Sequence, residues 1–234
     1  MTSFTPSVLD AAGAAALPAL VGLAVGLVAG LSLAAAGTAA LAGAGAVGIA
    51  FHRRATTPFG LANTITTARL VLALLLLALL VPGETPGPDA WLAVSLAGSA
   101  ALLDGIDGWI ARRLGQESRF GARLDMETDT VLMIVVSMVL AVSGKAGPWI
   151  MLTGLWRPLF VIGGRLLPWL ARPLPDSLRR KTCCALPILL MTGGLAPVVP
   201  AGWAMSMAAL ALAAVTLSFA LDGLWLWRRR GDAS

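Results

Sequence analysis

From residue 61 to residue 227 one pattern repeats: an apolar run long enough to cross a lipid bilayer, then a short polar break. A spanning helix needs about 20 predominantly apolar residues. Candidate spans lie at 61–82, 89–112, 119–143, 147–170, 183–199 and 202–227. Composition points the same way. Hydrophobic residues make up 58% of the chain and charged residues 12%, against about 25% charged in soluble domains. The expected fold class is all-α, a polytopic membrane helix bundle with a six-helix core.

Ahead of that core, residues 11–51 are mainly Ala, Gly, Leu and Val. This stretch is too long for one straight span, and Gly37-Thr38 is a candidate tight turn, so two helices are expected. A signal peptide fits poorly, because the first residues lack Lys and Arg and the apolar part is too long. The expected organisation is a hydrophobic helical extension over 1–57 and a membrane domain over 58–234.

The loops carry the orientation. Basic clusters fall at Arg53–Arg54, at Arg112–Arg113 with Arg119 and Arg123, at Arg172 with Arg179, Arg180 and Lys181, and at Arg228–Arg230. The alternate loops hold only Glu84, Asp89 and Lys145. Positive loops face the cytoplasm, so both ends of the core are expected there, in a bacterial-type cytoplasmic membrane. Trp91, Trp149 and Trp203 then sit near outer ends, and Trp109, Trp169, Trp225 and Trp227 near inner ends, as in aromatic belts. The net charge of +5 therefore reads as topology, and no nucleic-acid partner is expected. Cys183 and Cys184 are adjacent, which argues against a disulfide framework. The single histidine, His52, beside Arg53, reads as interfacial and not as a zinc ligand.

One segment breaks the apolar pattern. "DGIDGWIARRLGQESRFGARLDMETD" runs from Asp104 to Asp129, across the cytoplasmic end of the second core span and the start of the third. At about 100° per helical residue, Asp104, Asp107, Gly108 and Ala111 share one face. Gly121, Asp125 and Asp129 share another, while Glu127 points elsewhere. A turn near Gly115 lets the two faces meet. Four carboxylates so gathered cannot all stay bare anions. Mg²⁺ or Mn²⁺ relieves the repulsion, since both take oxygen ligands. The competing reading is a solvated loop in which these acids pair with Arg112, Arg113, Arg119 and Arg123.

Spelled out, the segment is Asp104-x2-Asp107-Gly108-x2-Ala111-Arg112-x8-Gly121-x3-Asp125-x3-Asp129. It resembles the signature of the CDP-alcohol phosphatidyltransferases at every fixed position and spacing. Asn63, Thr66 and Arg69, in "NTITTAR", are similar to that family's Asn-x2-Thr-x2-Arg. Lys181-Thr182 looks like the basic opening of its fifth helix, without the usual preceding glycine. The resemblance covers about residues 58–227. It implies transfer of a phosphatidyl or related group from a CDP-linked donor, expected to be CDP-diacylglycerol, to a hydroxyl acceptor, with release of CMP. It further implies that Asp104, Asp107, Asp125 and Asp129 bind two divalent ions and that Asp129 is also the general base. Gly108, Ala111, Arg112 and Gly121 are implied to shape the CDP site, with Asn63, Thr66 and Arg69 near it. Family members are often homodimers.

The acceptor is less legible. Arg157 stands inside the fourth predicted span, an expensive place for a charge, and Arg165 lies two turns on. With Arg179, Arg180 and Lys181 they are candidates for holding an anionic acceptor. Glycerol 3-phosphate is favoured and inositol phosphate comes second. Two other classes compete. Intramembrane prenyltransferases also hold a pyrophosphate on aspartates and Mg²⁺, but the Asp-Gly-x2-Ala-Arg block argues against them. A cation transporter or structural membrane protein would use carboxylates differently, with acidic residues at the midplane of the other spans.

Overall fold

The computed structural model describes residues 7–54, 58–81, 90–175 and 177–230. The loop at 82–89, with Glu84 and Asp89, and the side chains of Arg54 and Lys181 lie outside the described residues. All regular structure among the described residues is helical. The helices are α1 (Val8–Val28), α2 (Leu33–Arg54), α3 (Leu61–Ala78), α4 (Ala90–Leu114), α5 (Arg119–Val142), α6 (Leu152–Leu166), α7 (Leu178–Leu195) and α8 (Ala201–Arg228). Four of them, α2, α3, α4 and α8, are long and apolar enough to cross a membrane, while α1 and α7 carry shorter apolar stretches. The expected all-α polytopic bundle is what the chain forms. It divides into two compact units, Met1–Val135 and Val136–Ser234.

In the first unit, α1, α2 and α3 pack on one another and α4 packs on α3. The expected N-terminal pair of helices is present, but its turn is not at Gly37-Thr38. The chain reverses at Gly30, whose φ of +78° is the left-handed region that glycine enters without a Cβ penalty. Ser32 Oγ then accepts from Ala35 N at 3.1 Å at the start of α2. Thr38 sits inside that helix, with its hydroxyl bonded back to Ala34 O at 2.8 Å. A Ser or Thr hydroxyl can satisfy itself this way without breaking a helix, and Gly37 has no constraint that makes it turn. Close approach uses a different glycine. A Cβ on Gly22 would lie 2.1 Å from Val71 Cγ1, so α1 packs against α3 only because that atom is missing. At the other end of α2, Phe51 meets Phe59 and Phe120 edge-on, with centroids 5.0 and 5.5 Å apart.

In the second unit, α8 packs against α7 and α6. The stretch expected as one span over 147–170 is broken. A 3₁₀ turn covers Pro148–Met151, α6 follows, and a second 3₁₀ turn covers Pro168–Ala171. Proline accounts for the second break: Pro168 lacks an N–H and pushes Leu167 out of the helical region, to φ −123°, ψ 93°. The same rule ends α7, where Ala196, just before Pro197, is extended at ψ 132°. Lys145 closes that end. Its Nζ donates to the carbonyls of Gly194, Leu195, Ala196 and Val199 at 3.1, 3.3, 2.5 and 3.2 Å. An ammonium there meets the negative pole of the helix, whose last carbonyls lack intrahelical partners.

Candidate active site

The site is built in the first unit from three helix segments. The start of α3 supplies Asn63, Thr66 and Arg69, spaced by three. All are buried, and Arg69 completely so. The end of α4 supplies Asp104 and Asp107, and the start of α5 supplies Asp125 and Asp129.

Arg69 is the centre of this arrangement. Its Nη1 donates to Asp107 Oδ2 and Asp125 Oδ1, both at 2.8 Å. Its Nη2 donates to Asp129 Oδ1 at 2.5 Å and lies 2.6 Å from Asp104 Oδ1. Its Nε donates to the backbone carbonyl of Ala100 at 3.1 Å. A guanidinium has five N–H groups; four hydrogen bonds here engage all three nitrogens, and Asp104 adds an ion pair at Nη2. This explains how an arginine survives complete burial: every nitrogen has a partner and its charge is paired. The four aspartates are unequal. Asp107 is buried, with its side chain 5% exposed, whereas those of Asp104 and Asp125 are 41% and 42% exposed and that of Asp129 is 29% exposed.

The predicted meeting of the two acidic faces therefore occurs, but with a partner the spacing did not suggest. Among the described residues, the ion pairs of these aspartates run to Arg69, not to Arg112, Arg113, Arg119 or Arg123. Arg112 and Arg113 lie in the last turn of α4, and Arg119 and Arg123 lie in the first two turns of α5, whereas Arg69 rises from the facing helix α3 into the gap. Glu127 does point elsewhere, into a cavity lined by Arg53, Arg123 and α2 residues.

One guanidinium against four carboxylates leaves three negative charges. Asp104, Asp107 and Asp125 each present an oxygen within 4.8 Å of the others. A set of hard carboxylate oxygens with excess negative charge fits Mg²⁺ or Mn²⁺. Asp129 lies outside this close trio and shares Arg69 Nη2 with Asp104.

Beside the cluster is a cavity of about 280 Å³. Asn63, Thr66, Asp107, Gly108, Ala111, Arg112, Gly121 and Asp125 all line it. Thr66 Oγ1 is 2.8 Å from Asp107 Oδ2 and 3.0 Å from Ala62 O, so its one proton serves either acceptor. Gly121 makes room: a Cβ there would lie 2.6 Å from Asn63 Oδ1. Gly108 leaves space for Arg112, whose Nη1 would be 3.3 Å from an added Cβ. Five wall residues, Ala62, Gln116, Glu117, Ser118 and Ala122, are not among those the sequence points to, and two of them cap helices. Gln116 Oε1 accepts from Ala62 N at 3.4 Å at the start of α3, and Ser118 Oγ accepts from Gly121 N at 3.0 Å just before α5. Their signal was the helix-capping position of Ser118 and the turn after Gly115.

The acceptor candidates lie in the second unit. Arg157 and Arg165 lie within α6, about 12 Å apart along the axis. Arg179 is engaged by Ser218, donating to its carbonyl and hydroxyl at 2.9 Å each, and by the Asp222 carboxylate. Arg180 donates to Pro175 O.

A family model described as CDP-alcohol phosphatidyltransferase matches residues 59–221. The chain belongs to this family. All three helix segments of the site fall inside the match, and α1 and α2 precede it. CDP-alcohol phosphatidyltransferase membership and the four apolar helices together make this an integral membrane protein. Among curated relatives, a CDP-diacylglycerol–glycerol-3-phosphate 3-phosphatidyltransferase of Cereibacter sphaeroides is 33% identical over 106 residues, 44% of this chain and 48% of the relative. An enzyme of the same name from Pseudomonas fluorescens is 39% identical over 115 residues, 42% of this chain and 56% of the relative. A putative cardiolipin synthase of Mycobacterium tuberculosis is 40% identical over 70 residues, 30% of this chain and 34% of the relative. The chain thus spans about half the length or less of the curated relatives it matches. No solved structure matches it.

Proposed function

We propose that this CDP-alcohol phosphatidyltransferase moves a phosphatidyl group from CDP-diacylglycerol to the hydroxyl of an anionic acceptor, releasing CMP. The observation that carries this reading is the carboxylate cluster around Arg69, open to a cavity walled by Asn63, Gly108, Ala111, Arg112 and Gly121.

The bonds balance simply. The acceptor hydroxyl oxygen forms a P–O bond to the phosphorus that bears the diacylglycerol. The P–O bond linking that phosphorus to CMP breaks, and CMP leaves with the electron pair. The hydroxyl proton goes to a carboxylate. Asp129 is the candidate base, because it stands at the edge of the close trio. Its Oδ1 is held by Arg69, and a carboxylate has a second oxygen that can accept. Asp104, Asp107 and Asp125 are the ligands suited to hold divalent ions. Such ions, when bound, neutralise a pyrophosphate and the departing phosphate. Arg69 sets the positions of all four carboxylates from inside the bundle. Thr66 orients Asp107. The small faces of Gly108, Ala111 and Gly121 admit the nucleotide to the backbone, with Arg112 and Asn63 at its sides. Little covalent work falls to the protein in such a transfer; positioning and charge supply most of the effect. The membrane setting suits a donor with a polar nucleotide and apolar chains, with the reaction facing the cytoplasm, as the basic loops suggest.

Glycerol 3-phosphate is the favoured acceptor and inositol phosphate the second. Names of the relatives support the first: two of them contain glycerol 3-phosphate. A screen of acceptors with purified protein and CDP-diacylglycerol, reading CMP and the mass of the new lipid, decides among them. Phosphatidylglycerol phosphate is the expected product. Turnover only with an uncharged alcohol or a second phospholipid would overturn the anionic acceptor. If Arg157 grips the acceptor phosphate, Arg157→Ala raises the acceptor KM, and an unchanged KM removes it from that role.

A further inference from the structure

The other strongly charged feature lies wholly in the second unit. The start of α7, the end of α8 and the segment before α7 enclose a cavity of about 660 Å³, within the usual range of ligand pockets. Arg179, Arg180, Arg228 and Arg229 line it, against the single carboxylate of Asp222 among its described lining residues. Arg179 is spent on that carboxylate and on Ser218. Three guanidinium charges thus have no further carboxylate among the described lining residues, two of them on the last turn of α8 and just beyond it.

The remaining walls are not those of a site for a free ion. Leu174, Leu221 and Leu224 supply apolar surface, and Trp225 supplies an aromatic plane. The Arg229 guanidinium lies over that plane, 4.2 Å from the ring centroid. Such stacking holds a guanidinium in place and partly desolvated. Next to it in the chain, Arg230 covers Trp227 at 4.6 Å. Arg172 steadies the same end, donating to the Arg229 carbonyl at 2.6 Å. α8 is long and apolar enough to cross a membrane, so its last turn lies at headgroup depth, where tryptophan and arginine are both favoured. Basic pockets between helices at this level suit anionic headgroups, and a planar guanidinium matches two phosphate oxygens at once.

We propose that this cavity binds the phosphate of an anionic phospholipid, with Arg228 and Arg229 on the phosphate and Trp225 and the leucines beside the first carbons of its chains. Arg179 and Arg180 line this cavity and are also acceptor candidates, so the test rests on Arg228, Arg229 and Trp225, which are not.

The test uses the full chain purified in detergent. It is exposed to phosphatidylglycerol or to phosphatidylcholine with the same acyl chains, and retained lipids are counted by native mass spectrometry. Wild type should retain phosphatidylglycerol at least about fivefold better. R228Q/R229Q should bring that preference close to one, while R228K/R229K, which keeps charge without the fork, should fall between. W225L should weaken retention of phosphatidylglycerol with the arginines intact. Excess inorganic phosphate should not displace the lipid. The proposal is overturned by equal retention of the two lipids, by a preference that survives R228Q/R229Q, or by full displacement with inorganic phosphate, which would mark a free-phosphate site. If R228Q/R229Q fails to fold, R228K/R229K and W225L decide, since unchanged retention in both overturns it as well.

Discussion

Arg69 Nη2 lies 2.5 Å from Asp129 Oδ1, so the proposed base is held by the same guanidinium that ties the other three carboxylates together. The arginine is completely buried and the base is partly exposed. Position is thus set from within the bundle, while the carboxylate keeps a side toward the donor and acceptor.

Removing that guanidinium should cost more than one ion pair. Arg69→Ala leaves four carboxylates facing one another and is expected to destabilise the protein by about 3–5 kcal/mol, the range for breaking a buried charged pair. The melting temperature in metal-free detergent should fall, and millimolar Mg²⁺ should restore part of it. Arg69→Lys should lie between, because an ammonium has three donors for five acceptors. An unchanged melting temperature for Arg69→Ala would contradict the assigned role.

Gly121 offers a steric test of the cavity. Gly121→Ala puts a methyl group 2.6 Å from Asn63 Oδ1, and overpacking of this kind costs about 1–3 kcal/mol. CMP binding should weaken by about tenfold or more. Adding Asn63→Ala should recover much of the loss, because the two changes act on one contact. Additive losses in a double-mutant cycle would show that the contact is not the cause.

The sequence shows much of this site because helical periodicity turns spacing into direction. Asp104 and Asp107 on one helix, and Asp125 and Asp129 on the next, were bound to face each other once Gly115 made the turn. Its φ of +62° shows that it does. The guanidinium at the centre was less legible. Arg69 was placed near the nucleotide by resemblance, and only the register of α3 against α4 and α5 puts it among the carboxylates. Tertiary register has no local signature. The same limit applies to Gly30 and Gly37: both can turn, and packing of α1 on α3 through Gly22 chooses the earlier one. Hydropathy runs through 147–170 as one span, whereas Pro168, which cannot donate a backbone hydrogen bond, breaks it.

Lys145 makes a prediction for the second unit. Its ammonium serves four carbonyls at the end of α7 and just beyond it. Lys145→Met should lower stability by about 1.5–3 kcal/mol, the range for hydrogen bonds to a charged group. Amide exchange at Ala196 and Val199, whose N–H groups bond to Gly193 O and Ala196 O, should quicken, and Lys145→Arg should restore part of the protection. Unaltered exchange in the Met variant would show that the cap is not needed.

The most direct measurement is CMP release from CDP-diacylglycerol by the purified protein with glycerol 3-phosphate, for wild type and Asp129→Asn, with and without a chelator. Wild type should release CMP only with a divalent ion and acceptor present. Asp129→Asn should be slower by at least about 10²-fold, the lower range for a general base, while binding the donor within a few-fold of wild type. Chelator-resistant release, or normal turnover by Asp129→Asn, would contradict the account.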